Sequence, residues 1–259
     1  MSKKILIAYS YGLEFGWHVI KWQSKVRYYS KNYDEVYIVC DDEYMFLYND
    51  FARNIKDLSK SYTPDMWRFS GCTVDHMYPT KEICCRFDND KYISYEHVIC
   101  HGYEREGNKI AIHPRNKNDG REWEKEKWIE YIDCLVKSKP GIKIFYIGKA
   151  PGSYYLFNKN TMYGVYAGDS LYMVSRTLSQ TRLIIGASSG PLHFASLCGC
   201  PQLVWTDKGL WNLGGIKGTN RQRYEKYWNP FHTSVTVIDE YGWNPPVDII
   251  VNKTLELLK

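Results

Sequence analysis

A run of small residues at positions 186–190, followed by Pro191 and His193, is the part of the sequence best suited to hold a ligand. The surrounding stretch, residues 181–206, predicts a short apolar strand, a turn, a helix and a second strand. Small side chains let a ligand approach the backbone, and the helix presents free N–H groups and the positive end of its dipole. This combination favours a bound anion such as a phosphate. The residues assigned to this site are Ser188, Ser189, Gly190, Pro191, Leu192 and His193.

A structural explanation of the same turn stays open. Any parallel α/β protein needs tight turns between strands and helices, and small residues supply them without a ligand. His193 falls in the first turn of the helix, where the dipole disfavours a charged imidazole. A neutral imidazole there could hydrogen-bond a ligand or simply cap the turn.

A basic loop provides a second candidate anion site. Residues 109–113 predict a strand, and the loop that leads from it to the next helix carries three basic side chains, Arg115, Lys117 and Arg121. Arginine can hold a phosphate through two N–H groups at once. The next strand, residues 142–147, ends in Gly148 and Lys149, which we assign to the same site. The alternative is a charged loop that is only solvated.

An acidic residue near the N-terminus is a candidate general base. Residues 3–10 predict a buried parallel strand, and the segment that follows places Glu14 between Gly12 and Gly16. In an open α/β sheet, ligands bind at the carboxyl ends of the strands. We therefore expect Glu14 to act as a base. The residues around it, which would lie beside the acceptor molecule that gives up the proton, are Tyr11, Gly12, Gly16 and Trp17. The alternative is a favourable charge at a helix N-terminus.

Composition narrows the class of protein. The chain has 259 residues, enough for one large or two small domains, and an aromatic content of 16% that indicates a folded protein. A net charge of +5 suits a phosphate-bearing ligand and permits nucleic acid without requiring it. The first residues resemble a strand and not a secretory signal, and no stretch has membrane-spanning length. The eight cysteines form no CxxC pair, so we expect a reduced, cytoplasmic protein without a metal site.

The remaining pattern predicts two α/β domains. Residues 36–40 indicate a second strand and residues 43–58 a helix, whereas residues 59–79 contain turn signals and aromatic side chains that suit an acceptor platform or a small local core. An abrupt change to polar residues at 101–108 suggests a boundary. We predict an N-terminal domain over residues 1–107, a second domain over 108–245 and a terminal helix over 246–259.

Three motifs in the second half carry a resemblance to a known family. They are the strand, basic loop and Trp-containing helix IAIHPRNKNDGREWEKEKWIEYI, the strand IKIFYIGK, and the Ser-Gly-Pro-Leu-His stretch followed by Cys-Gly-Cys-Pro. In this order they resemble the nucleotide-sugar-binding domain of the heptosyltransferase-like glycosyltransferases of family nine. The family pattern at the last motif is Asp-Ser/Thr-Gly-x-x-His, and Ser188 stands at the position of the Asp. Glu14 falls where the family keeps an acidic catalytic base.

The resemblance implies a GT-B fold, in which two Rossmann-like domains with parallel sheets face a cleft. It implies that the N-terminal domain over residues 1–107 is the acceptor-side domain and that the domain over 108–245 is the nucleotide-sugar-binding domain. It also implies inverting, metal-independent transfer of a sugar from a nucleoside diphosphate sugar to an acceptor hydroxyl, without a further cofactor. In that reaction the base removes the acceptor proton, while the glycine turn, the helix dipole and the basic loop stabilise the departing diphosphate.

Three alternatives remain at this stage. The acceptor could be a hydroxylated DNA base, as for some phage enzymes, with Arg221, Arg223 and Lys226 touching the DNA backbone; such binding would weaken steeply with salt. A non-catalytic nucleotide- or sugar-phosphate-binding protein on the same scaffold is a second alternative, supported by Ser188. A sugar-nucleotide epimerase of the same architecture is a third. Fold analogy alone does not separate them.

Overall fold

A computed structural model describes residues 2–10, 14–55, 71–79, 102–156, 165–166, 170–213, 216–226, 228–229 and 233–259. The chain divides into two compact units. The first comprises Met1–His97 with Leu213–Ile216, and the second comprises Val98–Asn212 with Lys217–Lys259. The chain passes from the first unit to the second at residue 98, earlier than the boundary predicted at residue 107, and the terminal helix belongs to the second unit.

The first unit contains a four-stranded parallel sheet in the order β3-β2-β1-β4. Its strands are β1 (Lys4–Tyr9), β2 (Glu35–Val39), β3 (Arg53–Asn54) and β4 (Thr73–Met77). The apolar run in β1 is buried as its pattern predicts, and Ile5 and Ile7 form a core with Val39 of β2. The predicted strands over residues 3–10 and 36–40 are therefore confirmed.

A helical segment follows β1 and carries an irregular turn that the sequence did not predict. It consists of α1 (Phe15–Trp17), a π-helical stretch (His18–Trp22) and α2 (Gln23–Ser30). The indole N–H of Trp22 donates to Ser10 Oγ over 2.7 Å, which fixes the segment to the end of β1. Tyr48 Oη lies 2.5 Å from His18 Nε2 and so joins the segment to the chain after β2. π-helical turns inside helices are frequent at functional sites.

Two predictions for the first unit are wrong. Residues 43–58 do not form one helix: a 3₁₀ helix ends at Leu47, and residues 53–54 form β3 beside β2. The chain turns because Asp50 pairs with the largely buried Arg27 and the amide of Ala52 donates to the carbonyl of Tyr48. Within the segment expected to be irregular, residues 73–77 form β4, although this edge strand exposes most of its side chains.

The second unit contains a six-stranded parallel sheet in the order β12-β9-β8-β5-β6-β7. The strands are β5 (Glu106–His113), β6 (Lys143–Gly148), β7 (Val165–Tyr166), β8 (Thr181–Ala187), β9 (Gln202–Trp205) and β12 (Val235–Ile238). A separate two-stranded sheet pairs β10 (Trp211–Leu213) with β11 (Ile216–Gly218). The predicted strand, turn, helix and strand over residues 181–206 are confirmed.

Helices cover both faces of this sheet, as parallel strands require. They are α3 (Lys125–Ser138), α4 (Leu171–Gln180), α5 (Gly190–Leu197), α6 (Asn220–Lys226) and α7 (Val247–Leu257). Helices α3 and α7 pack over one core, in which the Trp123 ring stacks on Trp205 at 4.6 Å between centroids. The indole N–H of Trp123 donates to the carbonyl of Pro245, which fixes the segment before α7. The prediction of an α/β fold with two parallel sheets is confirmed.

Candidate functional site

The carboxyl edge of the second sheet brings the two predicted anion loops together. Strands β6, β5, β8 and β9 are neighbours in the sheet and run parallel, so the loops that follow them leave the same edge. The loops after β5 and β6 also pair directly, because the amide of Asn116 donates to Gly152 and the amide of Tyr154 donates to Pro114. Residues far apart in sequence thus form one site in this unit.

The turn after β8 leads directly into α5, with Ser189 as its N-cap residue. The amides of Leu192 and His193 donate to the Ser189 carbonyl, and Pro191 has no amide hydrogen. The amides of Ser189 and Gly190 make no hydrogen bond within the described residues. These two N–H groups and the dipole of the eight-residue helix are what the predicted phosphate cradle would use, and the cradle itself stays a prediction.

Not every residue assigned to this turn faces the cradle. The Leu192 side chain is buried in the core, and its Cδ2 would lie 3.2 Å from a Cβ placed on Gly186. Ser188 is buried as well, and its amide donates to the carbonyl of Trp205 over 3.0 Å. Its hydroxyl lowers the pKa of Tyr224 somewhat, although burial raises that pKa far more. Ser188 therefore faces α6.

Two polar atoms beside the cradle are enclosed without a partner among the described residues: Ser189 Oγ and His193 Nδ1. An enclosed polar group without a hydrogen bond costs about 1–3 kcal/mol. Burial lowers the pKa of His193 to about 3, and the nearby charge of Arg121 acts in the same direction. The imidazole, packed against Tyr224 and Trp228, is therefore neutral. A ligand that bonds to either atom would recover this cost.

The basic loop after β5 contains an ion cluster that we call the Arg115–Asp119–Arg121 cluster. The Asp119 carboxylate accepts hydrogen bonds from Arg115 Nη2 and from both Nε and Nη2 of Arg121. Backbones in the left-handed region at Asn118 and Gly120 turn Asp119 back toward the arginines. Burial raises the pKa of Asp119, but the bonds from Arg121 and Arg115 outweigh it, so that pKa lies well below its usual range.

The two arginines differ in what they can offer a ligand. Arg115 is only 4% exposed, whereas the Arg121 side chain is 32% exposed. Lys117 is exposed, and its Cε would lie 3.7 Å from a Cβ placed on Gly152. Lys149 is exposed on the loop after β6. The cluster and the lysines keep a net positive charge at the sheet edge that also carries the helix N-terminus.

The end of β5 holds a residue that the sequence reasoning missed. His113 is buried, and its Nδ1 lies 2.7 Å from the carbonyl of Ile147. A Cβ on Gly148, which has a φ of 142°, would lie 1.8 Å from Ser153 Oγ and 3.3 Å from His113 Nδ1. These three residues form a compact polar group beside the basic loop. A histidine after an apolar strand and before Pro114 was the available signal.

The first unit places Glu14 at the N-cap of α1, where its carbonyl accepts the amides of Trp17 and His18. Its side chain is exposed after β1, and its role as a base stays a prediction. Gly16 and Trp17 lie on the helix that follows and are half-buried. Tyr11 and Gly12 fall outside the described residues.

The basic residues considered for a DNA acceptor are engaged within the second unit. Arg221 forms a bidentate pair with Asp239, and Arg223 is buried and donates to Asn220 over 2.9 Å. Nothing is described of the Lys226 side chain. Within the part of the chain that the structure describes, no group of three or more His, Cys, Asp or Glu residues could hold a metal ion. No described helix combines the length and apolarity needed to span a membrane.

Comparison with known proteins gives matches of fold but none of sequence. No protein-family model matches the sequence, and no curated protein matches it either. Solved structures do match: the glycosyl transferase family 9 structure from Veillonella parvula DSM 2008 superposes with a TM-score of 0.62 at 13% identity, covering 100% of this chain and 98% of that one. The chain has the fold of the family-nine glycosyltransferases.

Two further structures of this GT-B group agree. The ADP-heptose lps heptosyltransferase II of E. coli gives a TM-score of 0.59 at 11% identity, covering 98% of both chains. The E. coli heptosyltransferase WaaC with ADP gives 0.55 at 12% identity, covering 98% of this chain and 99% of the other. The predicted resemblance is thus confirmed at the level of fold, while every role given to a site residue stays a prediction.

Proposed function

We propose that this protein is an inverting, metal-independent glycosyltransferase that moves a sugar from a nucleoside diphosphate sugar to an acceptor hydroxyl. The observation that carries the proposal is the meeting, at one sheet edge, of the α5 N-terminus and the Arg115–Asp119–Arg121 cluster. Helix N-termini and arginines are the two groups that proteins use most readily for phosphates. The GT-B fold supports sugar transfer as the reaction.

The second unit would hold the donor. One phosphate would accept the free amides of Ser189 and Gly190, and the other would lie near Arg121 and Lys117. Negative charge on the diphosphate grows as the glycosidic bond breaks. Fixed dipoles and cations at this edge therefore stabilise the transition state more than the bound substrate. Lys149 directly follows β6, whose carboxyl end lies at the same edge, and would add to this charge.

Glu14 would act as the general base. It would accept the proton of the acceptor hydroxyl while that oxygen attacks the anomeric carbon and the diphosphate leaves from the opposite face, which inverts the anomeric configuration. Its exposed position at the N-terminus of a helix, after an inner strand of the first sheet, supports this role. Gly16 and Trp17 would lie beside that acceptor.

ADP is the first nucleotide to test, because heptosyltransferases of this fold are described with ADP and ADP-heptose. For the acceptor we propose a saccharide hydroxyl, and a hydroxylated DNA base as the competing possibility. The pairing of Arg221 and the burial of Arg223 favour the saccharide, because neither arginine offers DNA a free charge. The cysteines that the structure describes are free, which supports a reducing, cytoplasmic location.

Calorimetric titration tests donor binding directly. We expect the protein to bind ADP or another nucleoside diphosphate, with unchanged affinity in EDTA, and Arg121→Ala to bind it at least about tenfold more weakly. Arg182→Ala is the matched control, because Arg182 is an exposed arginine at the opposite end of β8. If no nucleoside diphosphate or its sugar conjugate binds, the turn after β8 is structural and the proposal fails.

The catalytic role is tested separately. Glu14→Gln should keep donor binding and lose transfer, and NMR of the product should show the anomeric configuration opposite to that of the donor. A variant that retains full transfer, or a product with retained configuration, contradicts the role of Glu14. If the wild type binds nucleotide sugars but transfers nothing to saccharides or hydroxylated DNA, the non-catalytic alternative gains support.

A further inference from the structure

His113 ends β5, one of the two middle strands of the second sheet, and the structure fixes which of its ring nitrogens carries the proton. A carbonyl oxygen can only accept a hydrogen bond, so the 2.7 Å contact between His113 Nδ1 and the carbonyl of Ile147 requires a proton on Nδ1. Burial lowers the pKa of His113 to about 4, with Arg115 and Lys117 acting in the same direction and the bond to Ile147 opposing it. The ring is therefore neutral, and Nε2 carries a lone pair.

The second ring nitrogen is an unused hydrogen-bond acceptor among the described residues, and His113 is only 4% exposed. Nε2 makes no hydrogen bond to any described residue, and it is not among the enclosed polar atoms without a partner. The same holds for the hydroxyl of Ser153, which lies on the loop after β6. A Cβ placed on Gly148 would lie beside both Ser153 Oγ and His113 Nδ1, so the hydroxyl is a neighbour of the imidazole ring. One offers only an acceptor, and the other offers a donor and an acceptor.

A phosphate does not suit this pair. Its oxygens are negatively charged at neutral pH and accept hydrogen bonds, so an imidazole lone pair repels them. A hydroxyl suits it well, since its hydrogen can bond to Nε2 and its oxygen can accept from Ser153. The cradle at α5 and the basic loop supply what an anion needs on the same edge of the sheet. The polar group at His113 therefore has a different partner.

We propose that His113 Nε2 and Ser153 Oγ bind a hydroxyl group of the nucleotide sugar, beside the diphosphate. Gly148 makes room for this, because any side chain there would collide with Ser153. The inference rests on the proposed function and adds a specificity determinant to it. A donor without that hydroxyl should bind more weakly, whereas the affinity for the diphosphate alone should not depend on His113. The hydroxyl belongs either to the ribose or to the transferred sugar.

Two substitutions at one position separate the roles of the two ring nitrogens. His113→Asn places an amide N–H where Nδ1 lies and keeps the bond to Ile147, but removes the acceptor at Nε2. His113→Gln can return an amide oxygen near the Nε2 position. By calorimetry we expect His113→Asn to weaken binding of ADP or ADP-glucose about three- to tenfold, with partial recovery in His113→Gln and unchanged binding of inorganic pyrophosphate.

The choice of ligand identifies the hydroxyl. If the ribose supplies it, the loss appears with ADP and disappears with 2′,3′-dideoxy-ADP; if the transferred sugar supplies it, the loss appears only with ADP-glucose. Ser153→Ala provides a second variant with the same expected ligand dependence should His113→Asn fold poorly. Equal affinity of wild type and both variants for all these ligands overturns the inference while leaving the donor site intact. Failure of the wild type to bind either nucleotides or pyrophosphate overturns the proposed function and this inference with it.

Discussion

Replacing Gly148 by alanine tests how tightly the polar group around His113 is built. The new Cβ would lie 1.8 Å from Ser153 Oγ and 2.5 Å from Ser153 Cβ, and the residue has a φ of 142°. Overpacking of this kind costs about 1–3 kcal/mol, and a side chain in a sparsely populated backbone region costs about 1–3 kcal/mol more. We therefore expect Gly148→Ala to lower the free energy of unfolding by about 2–6 kcal/mol.

The two contributions can be separated by changing Ser153. Ser153→Gly removes both colliding atoms, so Gly148→Ala should cost only the backbone part, about 1–3 kcal/mol, when it is made in that background. Ser153→Ala leaves the Cβ at 2.5 Å and should relieve little. Urea unfolding of the wild type, the three single variants and the two double variants measures these differences, provided that the m-value stays constant. An equal cost of Gly148→Ala in the wild-type and Ser153→Gly backgrounds would refute the steric reasoning.

Two further predictions concern stability. Burial lowers the pKa values of His18 and His193 to about 3 and of His113 to about 4, so the unfolded chain binds protons first as the pH falls. The free energy of unfolding that depends on their neutral form is fully present above about pH 6.5. It is lost as the pH falls toward these values, by up to about 1.4 kcal/mol per histidine and pH unit. A midpoint of urea unfolding that does not move between about pH 7 and about pH 5 contradicts this prediction. Asp50→Asn should lower the free energy of unfolding by only about 1 kcal/mol although Arg27 is largely buried, because the Asp50 side chain is 48% exposed. A loss above about 3 kcal/mol in urea unfolding would show that the ion pair is stronger than this exposure predicts.

The sequence predicted the strands whose apolar side chains are buried in continuous runs. Strands β1, β5, β8 and β9 have this pattern because both faces of a parallel sheet are covered. The edge strand β4 lacks it, since exposed Thr73, Asp75 and His76 resemble loop composition. The wrong prediction of a helix over residues 43–58 rested on apolar residues that would share one helical face. The ion pair between Arg27 and Asp50 is a contact between segments that local spacing does not show.

The site was predicted in its backbone and only partly in its side chains. Small residues before a proline identify a cradle at a helix start, because that geometry is local. The sharing of Asp119 by two arginines depends on the left-handed backbone at Asn118, a conformation that Asn permits but does not require. His113 followed the same logic as Ser10 in the first unit: each comes at the end of a strand, and its partners come from other segments.

Arg115 and Arg121 share one carboxylate, and their exposures predict that they have different roles. Arg115 is buried, its Nε is enclosed without a partner, and its guanidinium bonds to Asp119; Arg115→Ala should therefore lower the free energy of unfolding by about 1–3 kcal/mol. The loss stays below the range for an isolated buried pair because Asp119 is one-third exposed and keeps Arg121. Arg121, itself one-third exposed, should contribute little to stability and much to diphosphate affinity. Parallel urea unfolding and pyrophosphate titration of both alanine variants measure the two quantities. If Arg115→Ala weakens pyrophosphate binding as much as Arg121→Ala does without loss of stability, then the buried arginine reaches the ligand and Asp119 is displaced when the diphosphate binds.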